Sequence, residues 1–226
     1  PHLFSSAASD VYKRQGLTLG NGSGGTPGLS SNYKLDGGTH TFNVTKKDIT
    51  FSGSRVYDAT ITVSSSDLVT NDTTSGETLA FSGSGTVSSA NVQNNQSITL
   101  GSIAIADGSG GGLASNYNLT TGTFDISQKW VNLGGQKIYD ATTTVSSSDL
   151  DVTGEVTGES ISITGTGSVT DKNVGSGKTI DISGLSLSDG SHSASNYTIG
   201  TTSFAITPRN LTISGEKVYD LSLIHI

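Results

Sequence analysis

Apolar residues in this chain fall in short runs at every second position, and no stretch shows an apolar period near 3.6 residues. Side chains alternate between faces along a strand, so this pattern predicts an all-β chain with almost no helix. From Lys47 onward, Ile49 and Phe51 alternate, and Ser52-Gly53-Ser54 reads as a turn. A strand from Val56 to Val63 is expected to carry Tyr57, followed by a loop at Ser64-Ser65-Ser66-Asp67. Leu79 and Phe81 form the next strand, and Gly83-Ser84-Gly85 reads as another turn before Val87. Ile98 and Leu100 are followed by Ile103 and Ile105, with a change of parity between the pairs. Such a slip beside Gly or Ser predicts a bulge or tight bend. After a loop tip at Asp107–Gly112, Tyr117 and Leu119, then Phe124 and Ile126, close the series.

The whole series then repeats. Val131, Leu133, Ile138, Tyr139, Val145, Leu150, Ile161, Ile163, Val169 and Val174 take the apolar places. Ile180, Ile182, Leu185, Leu187, Tyr197, Ile199, Phe204 and Ile206 complete them, with the same change of parity after Ile182. Two markers hold the beat. Tyr57-Asp58-Ala59-Thr60 returns as Tyr139-Asp140-Ala141-Thr142 and begins again at Val218-Tyr219-Asp220, so the tyrosines stand 82 (139 − 57) and 80 (219 − 139) residues apart. Ser31-Asn32-Tyr33, Ser115-Asn116-Tyr117 and Ser195-Asn196-Tyr197 keep nearly the same spacing. A long period held by two markers means tandem domains. The reading is residues 16–46 as the C-terminal part of a repeat, 47–128 and 129–208 as complete repeats, and 209–220 as the start of a further one. Residues 1–15 and 221–226 match nothing in the repeats and read as non-native ends.

About seven short strands in some 80 residues suit a small β-sandwich of immunoglobulin-like type, and a β-grasp-like domain stays open as an alternative. A parallel β-helix would repeat every 20–29 residues or so. The junctions Thr45-Lys46-Lys47, Ser127-Gln128-Lys129 and Thr207-Pro208-Arg209 are very short, which favours a row of domains with limited hinge freedom.

Composition narrows the classes of function. Net charge is −7 and the isoelectric point about 4.8, so nothing attracts nucleic acid or an anionic lipid surface. The absence of Cys removes disulfides, thiolate metal sites and Cys nucleophiles together. No apolar run approaches membrane-spanning length, so no membrane insertion is expected in these residues. Met is absent too, and the chain is expected to be a fragment of a longer protein.

Candidate chemistry is sparse. Tyr57 and Tyr139 read as core tyrosines whose hydroxyls find partners near a strand corner, and Asp58 and Asp140 as turn residues bonding local backbone. Asp107 and Asp189 occupy equivalent loops and are weak calcium candidates; the loops gather no further carboxylates, and no metal or cofactor is expected. Gly20-Asn21-Gly22-Ser23-Gly24-Gly25 fits a dinucleotide fingerprint, but a strand follows it where a helix is needed. Gly177-Lys178-Thr179 imitates the end of a phosphate loop without its first glycine. No His–carboxylate grouping suggests a catalytic base. Trp130, the single Trp, is out of phase with the core; it is a weak ligand candidate through sugar stacking, and packing at the domain junction is the favoured reading.

The markers carry a resemblance. Lys-(Val/Ile)-Tyr-Asp-Ala-Thr, then Gly165-Thr166-Gly167-Ser168-Val169-Thr170-Asp171-Lys172-Asn173-Val174-Gly175, then Ser-Asn-Tyr and a closing Phe-Ala-Ile-Thr resemble the YDG-type repeat of bacterial filamentous haemagglutinin-like surface adhesins. The resemblance covers residues 16–220. It implies an exported, non-enzymatic protein, secreted or at the bacterial cell surface, whose partners are other repeats of its own chain and, in a second reading, a host glycan or matrix protein. It carries over no binding residues. Ala59 and Ala141 depart from it, standing where the family pattern implies Gly. Ala does not comfortably hold a positive φ, so the expectation is that this position does not need one here.

Overall fold

The computed structural model describes residues 30–32 and 43–218. The expected non-native ends, and most of the partial repeat expected over 16–46, lie outside them. The described chain is all-β, broken only by short 3-10 turns. It divides into two compact units. Among the described residues the first comprises 30–32, 43–55, Ile61–Ser89 and Asn94–Asp125; the second comprises 126–218 with Val56–Thr60 and Ala90–Gln93.

In the first repeat the strands are β1 (Lys47–Val56), β2 (Thr62–Ser64), β3 (Leu68–Thr70), β4 (Leu79–Ser82), β5 (Ser84–Thr86), β6 (Gln93–Ser97), β7 (Ala104–Asp107) and β8 (Tyr117–Ser127). One sheet runs β3-β1-β8-β6, and the pairs β2-β5 and β4-β7 stand beside it. In the second unit β9 (Lys129–Ile138), β10 (Thr144–Ser146), β11 (Leu150–Thr153), β12 (Ile161–Val169), β13 (Gly175–Lys178), β14 (Ile180–Asp181), β15 (Leu185–Asp189) and β16 (Tyr197–Thr207) follow the same order. Here one sheet runs β11-β9-β16-β13, and a second groups β10, β12, β14 and β15.

The first and last strands of the repeat, β9 and β16, lie side by side and parallel at the centre of their sheet. Parallel neighbours need a long crossover; here the crossover carries the entire second sheet and the two outer strands of the first. Leu133, Phe204 and Ile206 from the first sheet and Val145, Val169, Ile180 and Leu185 from the second share one core. Burying each such side chain contributes about 1.5–3 kcal/mol. A register shift between Ile199 and Thr202 moves the buried face of β16 from odd to even positions, so Tyr197 and Phe204 both point inward.

The parity change after Leu100 and after Ile182 is a tight turn, closed by Ile103 N–H donating to the Leu100 carbonyl and Leu185 N–H to that of Ile182. Other expectations are corrected. Ser52-Gly53-Ser54 does not turn; β1 runs straight through it. Gly53 and Gly135 are there because a Cβ would lie 2.5 Å from the Asp67 carbonyl oxygen and 2.0 Å from that of Asp149, a close backbone approach of the kind glycine permits in strands. Gly83 and its counterpart Gly165 also reverse nothing. At Gly165 (φ 93°) β12 kinks and changes partners, from β15 before it to β10 and β14 after it. No strand spans Val56 to Val63: β1 ends at Val56, Tyr57 sits in the corner that follows, and pairing resumes at Thr62. Ile138 and Val174, expected inside, are 63% and 51% exposed. The Ser-Ser-Ser-Asp loops are single 3-10 turns, Ser65–Asp67 and Ser147–Asp149, the latter fixed by a capping box between Ser146 and Asp149.

Candidate functional site

The Tyr-Asp-Ala-Thr corner is built the same way twice. The tyrosine N–H closes on the last strand of its repeat: Tyr57 donates to the Ser127 carbonyl and Tyr139 to that of Thr207, both at 2.9 Å. The aspartate carboxylate accepts from the amide two residues on, Asp58 from Thr60 at 3.0 Å and Asp140 from Thr142 at 2.9 Å, and from the same threonine's hydroxyl. These Asx turns bear out the local role expected of both aspartates. They also overturn the expectation for the alanines. Ala59 and Ala141 do hold positive φ, 64° and 68°. The aspartate bridge spans the alanine on both sides, and the fold bears the strain of a left-handed L-residue in order to close it.

Beneath the second corner lies a buried cation. Lys137 Nζ donates to Asp140, to the Thr142 carbonyl and hydroxyl, and to the Thr144 carbonyl. The Thr142 amide, and then this ammonium group, hold the Asp140 carboxyl down to about 2. In the first repeat Arg55 takes the place of Lys137 and lies 5.4 Å over the Phe124 ring, a cation–π contact.

Within the second unit Tyr57 reaches a cluster centred on Glu159. Its hydroxyl donates to Oε1 of Glu159 at 2.8 Å, and the Tyr197 hydroxyl donates to Oε2 at 2.5 Å. The Tyr197 oxygen in turn accepts the Val156 amide. The two rings meet edge-to-face, centroids 5.5 Å apart, a favoured aromatic geometry. Beside them the Asn196 side chain accepts from the Val92 amide and donates to Asn91, both at 2.9 Å. His192 Nε2 stands 3.8 Å from Glu159. Burial first, and then the Glu159 carboxylate, push both tyrosine hydroxyls up to about 12. Two phenols that stay protonated and fill a carboxylate's acceptor sites make an anchor of charge-assisted bonds. In the first repeat the Tyr117 hydroxyl donates to Glu77 and accepts from the Thr74 amide, so half of the cluster stands there as well.

The tyrosines were legible in the sequence; the glutamates were not singled out. Their signal was present, since Glu77 and Glu159 stand 82 residues apart (159 − 77), the same spacing as Tyr57 and Tyr139.

The other candidates are scattered. Asp107 and Asp189 each accept a backbone amide across their loop, from Ala114 at 2.8 Å and Ala194 at 2.7 Å. Among the described residues no group of three or more His, Asp or Glu is placed to hold a metal ion. Trp130 is 73% exposed on β9. Gly177 and Lys178 lie on β13, where Lys178 pairs with Asp171 at 2.8 Å. A shallow groove of about 400 Å³ runs along Gly135, Gln136, Ser148, Asp149 and Asp151, beside the close approach of β9 to its neighbouring turn. Among the described residues no helix is long and apolar enough to cross a membrane.

No curated protein and no solved structure matches the chain. A family model does: the YDG domain matches residues 39–124 and again 129–204, each match holding one Tyr-Asp-Ala-Thr corner, one Gly-Glu turn and one Ser-Asn-Tyr marker. With two copies that together span most of its length, the chain belongs to the YDG domain family.

Proposed function

We propose that this segment is a stalk or spacer of a bacterial cell-surface or secreted adhesin, without catalytic activity of its own. One observation carries the reading. The polar side chains that recur from repeat to repeat are bonded within the fold: Asp58 and Asp140 hold corners, Asp107 and Asp189 close loops, and Glu77 and Glu159 anchor tyrosines. What the repetition preserves is architecture. A single residue, Gln128, separates β8 from β9, which suits a spacer that limits swing between repeats. A net charge of −7 discourages association between neighbouring copies.

A second reading has the repeats bind a glycan or host protein themselves, and the exposed indole of Trp130 favours it. A glycan array and a host-matrix binding panel, run on the full chain and on Trp130→Ala, separate the two. The spacer reading expects no saturable binding. Micromolar binding that disappears in Trp130→Ala replaces it with a lectin-like module.

A further inference from the structure

We infer that the Tyr-Asp-Ala-Thr corner of each repeat, with the Asn-Val pair that follows in sequence, is a docking knob for the Glu–Tyr cluster of another repeat of the same kind. This stands whether or not the spacer reading holds.

The occupied arrangement lies within the second compact unit, where Val56–Thr60 and Ala90–Gln93 from the first repeat are gathered with the second. Tyr57 meets Glu159 and Tyr197, while Asn91 and Val92 meet Asn196. Every residue of this contact has a counterpart in the other repeat. Tyr139, Asn173 and Val174 correspond to Tyr57, Asn91 and Val92; Glu77, Asn116 and Tyr117 correspond to Glu159, Asn196 and Tyr197. The second repeat therefore carries a knob and the first carries a receiver; the knob is exposed more than its counterpart, while in the receiver Tyr117 is already buried at 3% and Asn116 is what stands exposed. Asn196 is buried to 1% exposure, whereas Asn116 is exposed. Tyr57 is buried, whereas Tyr139 is only half-buried, and Val92 is half-buried where Val174 is 51% exposed.

Both halves are already shaped. Tyr139 closes on Thr207 as Tyr57 does on Ser127, and Tyr117 is already bonded to Glu77 with its oxygen on the Thr74 amide. The missing element is one tyrosine hydroxyl for the second oxygen of Glu77, and Tyr139 supplies that chemistry. Leu211 and Ile213 stand at the positions of Ile49 and Phe51, so the residues after the free knob carry the first-strand pattern of a further repeat. The occupant is thus a repeat of this family. A knob on one face and a receiver on another make a head-to-tail contact, which closes into a ring or continues open-ended according to the rotation between its partners.

The full chain has no cysteine, which allows a direct test. Asn173→Cys and Asn116→Cys chains, mixed in equal amounts at about 1 mM and treated with a short bis-maleimide, should yield the mixed dimer at more than about fivefold over the two like dimers. Adding Glu77→Ala to the Asn116→Cys chain should return the products to the statistical ratio, with circular dichroism checking that the chain remains folded. An Asn91→Cys/Asn196→Cys chain should cross-link within itself. Statistical products from the mixed chains overturn the inference, because joined repeats see each other at about millimolar effective concentration and a contact too weak to register there would be open within a chain as well. Failure of the Asn91/Asn196 pair to cross-link overturns it too, since the occupied arrangement would then be absent in solution.

Discussion

Replacing Ala141 with glycine should stabilise the protein, although glycine on a surface usually does the reverse. Ala141 sits at φ 68° with its methyl group exposed. A left-handed conformation costs an L-residue about 1–2 kcal/mol. Glycine removes that cost and adds about 0.4–1 kcal/mol through the extra freedom of the unfolded chain. The exposed methyl contributes little packing, so the net gain is about 0.5–1 kcal/mol. For a domain of this size that is a rise in Tm of about 2–8 °C. Far-ultraviolet circular dichroism in a thermal ramp and in urea should show a higher midpoint with an unchanged urea slope, the mark of a stability change without a change in compactness. Ala205→Gly is the control. Ala205 lies within β16, away from any positive φ, and its replacement should cost about 0.5–1 kcal/mol. If Ala141→Gly lowers the midpoint as Ala205→Gly does, the corner is not strained and the argument fails.

Further outcomes follow from the same geometry. Gly135→Ala and Gly53→Ala should each cost about 1–3 kcal/mol in urea unfolding, because the new Cβ meets a backbone carbonyl that cannot step aside. Phe204→Ala removes the largest ring of the second core and should cost about 3–5 kcal/mol by the same measurement. In alkali, Tyr57 and Tyr197 stay protonated to about 12, while the unfolded chain ionises near its ordinary value of about 10. Their contribution is therefore complete below 10 and is lost as pH rises through 12, and a Tyr57→Phe/Tyr197→Phe chain should show a flatter decline across that window. In acid the sign reverses: Asp140, held to about 2, contributes above the ordinary carboxylate range and loses that contribution as pH falls through 2. A carboxyl NMR titration should find its midpoint well below those of unbonded surface aspartates.

The sequence by itself determined the class, the beat and most of the core. Alternation named Ile49, Phe51, Val131, Leu133, Phe204 and Ile206 as inward-facing, because a strand has only two faces and period two chooses between them. The two markers named the repeat, because a motif kept at one spacing reflects one fold. The tertiary structure alone decided the function of each glycine. Gly53 read as a turn and is instead a place where a carbonyl from the following turn presses against the strand, a contact between residues distant along the chain that leaves no local signature. Gly165 marks a strand changing partners, and partners are not written in a strand's own residues. The corner alanines show the same limit. A side chain's preference speaks against positive φ, yet the bonds from Asp140 to Thr142 close only if the residue between them accepts it. Glu159 was legible only as a residue with a twin. That its carboxylate gathers Tyr57 and Tyr197, 102 and 38 residues away, is a fact of packing.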